Sequence, residues 1–278
     1  MNIGRKGIFF ANAYKSAKSL SWVVAILLVA FSLLQTILNN LVTGDTANVL
    51  ENVMDALQLT SSFGAMREME CLAYALIASL SYLIERRSGY IRFALQRAGR
   101  RRYLMGCLVS VSLNAIFVAL IGLMLFVAVL MAGFGLPMFA DKGQETVSYG
   151  FISGSDLLRG NAPYLIWITI GFSFALSSAT WALGALAVSA CTDNMFVVAL
   201  SPMVFSYLMN AVSIVLHEMS LTPAYLVDYY YLGRGVTPLA DPLYAMGVTL
   251  AWYLPIIMLA CIVFWISASR RIRNDQCA

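Results

Sequence analysis

Six long apolar blocks, at about 22–41, 65–84, 103–131, 163–190, 195–216 and 243–268, dominate this sequence. A helix needs roughly 20 apolar residues to cross a hydrocarbon core of about 30 Å, and each block meets or approaches that length. The chain of 278 residues is 60% hydrophobic and only 12% charged, where a soluble domain carries about 25% charged residues. Water is therefore not the main solvent of its surface. The blocks use up most of the length and leave no room for a separate soluble domain. The predicted fold is an all-α membrane protein with six transmembrane helices and both termini on one side.

Charge sets the orientation. On the side of the termini lie 14 Lys and Arg residues against three acids, Glu85, Asp193 and Asp275; the opposite side holds four bases against 11 acids. The two faces thus differ as about +11 and −7, and the positive-inside rule predicts cytoplasmic termini. The basic start followed by an apolar block imitates a signal peptide. The block is long, however, and no convincing A-x-A site follows, so it reads as a retained first span.

Residues 1–21 mix Arg5, Lys6, Lys15 and Lys18 with Phe10, Ala13, Tyr14 and Ala17 at helical spacing, a pattern that predicts an amphipathic helix in the inner headgroup region. A short surface helix is expected near Val49–Leu57. The loop 133–162 is polar and Gly/Ser-rich. Residues 217–242 combine Pro223, Gly233, Gly235 and Pro238 with Tyr225, Tyr229, Tyr230 and Tyr231, which predicts short helices at the outer interface. The four residues Cys191–Asn194 join the fourth and fifth blocks as an antiparallel hairpin.

The segment 85–102, ERRSGYIRFALQRAGRRR, is the most charged of the chain. Tyr90, Phe93, Ala94 and Ala98 share one helical face, with Ile91 and Leu95 beside them and Arg92, Gln96, Arg97 and Arg100 mainly on the others. Gly89 and Gly99 bracket this helix. The pattern admits a loop that is basic only for topology, a surface for anionic lipid, or a helix that docks a cytoplasmic partner.

The layout resembles the permease subunits of type-2 ABC exporters. That family has an N-terminal amphipathic elbow helix, six spans, a coupling helix between spans two and three that docks on an ATPase, and short outer helices between spans five and six. In this sequence these fall at 1–21, 85–102 and 217–242. The run Glu85-Arg86-Arg87-Ser88-Gly89, with Arg100-Arg101-Arg102-Tyr103 leading into the next span, looks like the family's acidic residue, glycine and basic return. The long loop after span three departs from the compact members. The resemblance implies coupling residues Glu85, Gly89, Tyr90, Ile91, Phe93, Leu95 and Arg97. It also implies a separate cytoplasmic ABC ATPase that carries the ATP and Mg, a second copy or related permease, contact with membrane lipid, no nucleic acid, and the plasma membrane of a prokaryote. Export of a hydrophobic or amphipathic substrate rests on this resemblance. The sequence itself has no GxxxxGK[ST], so it lacks the backbone nest and lysine that hold ATP phosphates.

Other constellations have simpler readings. Cys71, Cys107, Cys191, Cys261 and Cys277 form no CxxC pair and suggest packing rather than a metal site. His217, the only histidine, cannot supply paired metal ligands. Ser153-Gly154-Ser155 lies in a loop with no base nearby, so catalysis is not expected. Gly171, Ala175 and Ala179, and later Gly184 and Val188, form a small-residue stripe for packing within the bundle or at a subunit interface. Gln35, Asn114, Ser173, Ser177, Thr180 and Asn210 either bond across helices or line a path. Glu68 and Glu70 sit near Arg67 at the outer end of span two, where they face the interface, Arg67 or a cationic substrate. Besides a permease, the residues allow a non-transporting assembly or sensory subunit. A membrane enzyme or a secondary transporter fits less well.

Overall fold

The computed structural model describes residues 20–43, 53, 56, 57, 60, 67–138, 163–218 and 242–277. Among them there is no strand. Among the described residues seven helices have both ends in view: α1 (Leu20–Thr43), α2 (Arg67–Arg87), α3 (Tyr90–Ala98), α4 (Arg100–Gly133), α5 (Pro163–Cys191), α6 (Met195–Glu218) and α7 (Pro242–Cys277); Val53, Ala56, Leu57 and Thr60 are helical as well. The expected helices within 1–19 and 219–241 and the loop 139–162 lie outside the described residues, as do the side chains of Asn210 and His217.

Four stretches are long and apolar enough to cross a membrane: Ser21–Asn39, Arg100–Gly133, Trp167–Cys191 and Thr249–Arg273. Their outward positions are apolar too. Leu27 and Phe31 on α1, Phe117 and Met124 on α4, and Leu259 and Ile262 on α7 are all exposed. Such a continuous apolar belt is untenable in water and is the expected surface in lipid. The chain is a membrane protein with transmembrane helices.

Of the other expected spans, α2 does not meet that test, for a physical reason visible in its sequence and packing. In α2 the charges at both ends leave Cys71–Ile84 as the apolar stretch, about 21 Å at 1.5 Å per residue. This helix packs against α1, α4, α5 and α6. Surrounded by protein, it can keep polar residues that a lipid-facing helix cannot. Glu70 is buried and accepts a hydrogen bond from the Ser32 hydroxyl of α1 at 2.8 Å, so it faces the bundle rather than water. α6 is apolar over Met195–Leu208, the part of the helix whose side chains are continuously described. Its Pro202 has no N–H to give the Val198 carbonyl. The Ser201 hydroxyl donates to that carbonyl instead, at 2.9 Å, and the helix continues.

α5 is the hub and packs against α2, α4, α6 and α7. α7 meets it with Ala260, Phe264, Ala268 and Ile272, a buried stripe of every fourth residue. The Tyr82 ring stands edge-on to Phe264 with centroids 5.3 Å apart, an arrangement worth about 0.5–1.5 kcal/mol beyond burial. Several polar residues of the hub bond along their own helix. Ser178 donates to Ala175 O, Thr180 to Leu176 O, and Trp181 Nε1 to Ser177 Oγ; on α4, Asn114 donates to Ser110 Oγ. These contacts neither cross between helices nor need a watery path.

Among the described glycines, the one pressed hardest by a neighbouring helix is not on the predicted stripe of α5. A Cβ at Gly184 would meet nothing within 4 Å, and one at Gly171 only an ordinary contact at 3.7 Å. A Cβ at Gly122 of α4 would sit 2.6 Å from Val29 Cγ1 of α1. The absence of a side chain there lets the two backbones come together.

Candidate functional site

Most of the described arginines collect at one end of the bundle, where α2 stops, α4 starts, α5 turns into α6, and α7 ends. α3 crosses this basic end. Gly89 closes α2 at φ 72° in the left-handed helical conformation, and Gly99 closes α3 at φ 73° with extended ψ; both are backbone conformations that a side chain strains, the second being essentially reserved to glycine. Two sharp corners thus set a nine-residue helix between two long ones.

The corners also decide which face of α3 turns inward. Ile91 is buried, and Ala94, Leu95 and Ala98 are half-buried against the core. Tyr90 and Phe93 are 51% and 66% exposed, and Arg92, Gln96 and Arg97 are exposed with them. The expected coupling set is therefore divided. Ile91 and Leu95 hold the helix down, while Tyr90, Phe93 and Arg97 form the outward surface.

Glu85 has a different place. It is buried at the end of α2 and accepts a hydrogen bond of 2.9 Å from the Tyr103 hydroxyl at the start of α4. This bond closes the base of the loop that carries α3. Next to it, Arg86 donates to Ser189 O and Thr192 O, both at 3.0 Å, and pairs with Asp193. Arg87 donates to Asp193 O. From the other side, Arg271 of α7 reaches both Asp193 carboxylate oxygens at 3.2 Å and the Cys191 carbonyl. The short link between α5 and α6 is thus clasped by arginines of two other helices. The link's own sequence prepares it: Asn194 Oδ1 accepts from Phe196 N at 2.9 Å and caps α6.

Comparison with known protein families, curated proteins and solved structures finds no match. The reading of this site therefore rests on its own geometry. Sequence reasoning missed the Asp193 clasp and the Tyr103 partner of Glu85. A signal was present. The sequence expectation sets three acids against 14 bases on one side, and an outnumbered carboxylate there can draw more than one arginine, as Asp193 does. Among the described residues no group of three or more His, Cys, Asp or Glu side chains could hold a metal ion.

Proposed function

We propose that this chain is the permease subunit of an ATP-driven exporter, and that α3 takes the stroke of a separate cytoplasmic ATPase. The observation that carries this reading is the two-sided character of α3: one face is fixed to the bundle, and the other presents Tyr90 and Phe93 among arginines. Exposed aromatics at a charged membrane–water boundary favour a protein partner that covers them.

In this reading α1, α2, α4, α5, α6 and α7 are the six spans, in the plasma membrane of a prokaryote. The arginine excess faces the cytoplasm by the positive-inside rule. α2 crosses packed among α1, α4, α5 and α6, whereas α6 turns Phe196, Val204 and Leu208 to the lipid. ATP and Mg bind the partner, whose closure pushes on α3. The Glu85–Tyr103 bond carries the push jointly to α2 and α4, and the Arg86–Asp193–Arg271 cluster carries it to α5, α6 and α7. A second copy or related permease completes the path for a hydrophobic or amphipathic substrate.

The test is co-purification with a co-expressed cytoplasmic ABC ATPase of the same organism. Changing Tyr90→Asp together with Phe93→Asp should abolish it while membrane insertion and thermal stability persist, because both side chains point outward. Undiminished co-purification overturns the docking role of α3.

A further inference from the structure

α4 begins under electrostatic tension. Its first turn is Arg100-Arg101-Arg102, with no acid in it and no side-chain hydrogen bond at the Gly99 cap. The first amide bonded back along the chain is that of Tyr103, to Gly99 O at 3.1 Å. The amides of the three arginines therefore point out of the helix start without an intrahelical acceptor. Three guanidinium groups at the positive end of a helix dipole repel it and one another. None of the three makes an ion pair or side-chain hydrogen bond among the described residues.

These arginines line an open cleft of about 680 Å³ between the start of α4 and α7. Its opposite wall is Trp265 and Ser269. Ser269 is 7% exposed, and its hydroxyl has no hydrogen-bond partner among the described residues. A buried hydroxyl without a partner costs about 1–3 kcal/mol, and it is an independent sign that the cleft is completed by something else. The missing partner has to be anionic, to offset three arginines, and rich in acceptor oxygens, to take amide and hydroxyl hydrogens together.

We infer that this cleft binds a phosphate group, presented by an anionic phospholipid of the leaflet at the basic end. The cleft sits where the apolar runs of α4 and α7 give way to Arg100–Arg102 and Arg270–Arg273, the height of lipid headgroups. Trp265, half-buried there, supplies the amphipathic ring typical of that boundary. The inference does not depend on the chain being a transporter.

Native mass spectrometry of the protein in neutral detergent reads the binding of three probes: short-chain phosphatidic acid, short-chain phosphatidylcholine and inorganic phosphate. Phosphatidic acid should bind best. Arg100→Gln with Arg102→Gln should weaken it roughly tenfold, and Ser269→Ala roughly threefold. The charge-matched pair Arg92→Gln with Arg273→Gln, outside the cleft, should change it less than about twofold. Equal binding of inorganic phosphate and phosphatidic acid would keep the phosphate site and replace the lipid by a soluble anion. Equal loss in both arginine pairs, or none in either with Ser269→Ala unchanged, overturns the site.

Discussion

Tyr103 donates its hydroxyl hydrogen to Glu85 across 2.9 Å, joining the last turn of α2 to the first of α4 with both side chains buried. Tyr103→Phe removes one hydrogen bond to a buried carboxyl group and leaves the ring. The expected cost is about 1–3 kcal/mol, measured by denaturation in mixed micelles. Glu85→Gln keeps an acceptor and should cost less. An equal or larger loss for Glu85→Gln would mean that Glu85 is held by something other than this bond.

Arg86 and Asp193 pair but do not matter equally. The Arg86 side chain is 11% exposed and also holds two main-chain carbonyls, whereas Asp193 is 66% exposed. Screening keeps an exposed carboxylate's share to about 0.2–1 kcal/mol. Arg86→Ala should cost roughly 2–4 kcal/mol through its lost carbonyl bonds. A double-mutant cycle of Arg86→Ala and Asp193→Ala should return a coupling under about 1 kcal/mol. A coupling that equals the whole effect of Arg86→Ala would show that the carbonyl contacts contribute nothing.

Gly122→Ala should destabilise the bundle by about 1–3 kcal/mol, since the new methyl would press on Val29 at its β-carbon and no flexible tip can yield. Val29→Ala in the same chain should restore part of the loss. Gly184→Ala, with open space around it, should be neutral or slightly stabilising through helix propensity. Equal effects at the two glycines in the same denaturation experiment would refute the close approach of α1 and α4.

Much of the helix order was legible. The sequence places α3 between Gly89 and Gly99, starts α5 at Pro163 and turns the chain at Cys191–Asn194, because glycine, proline and short polar links act locally. The inward face of α3 was not legible, since apolar residues lie on both sides of so short a helix and only the corner angles select Ile91 and Leu95 over Tyr90 and Phe93. The Asp193 clasp joins residues 78 and 106 positions apart, which no periodicity reports. Ser178 and Ser189 of α5 bond to carbonyls one turn back, an option that composition does not separate from contact with a neighbour. Glu70 was expected near the outer end of a span; its burial against Ser32 depends on where α1 sits.

The corners at Gly89 and Gly99 store the position of α3 in the backbone rather than in the side chains it shows to the outside. Residues at 90, 93 and 97 can therefore be exchanged with little effect on folding, so the specificity of whatever they touch can be rewritten while the scaffold beneath stays the same.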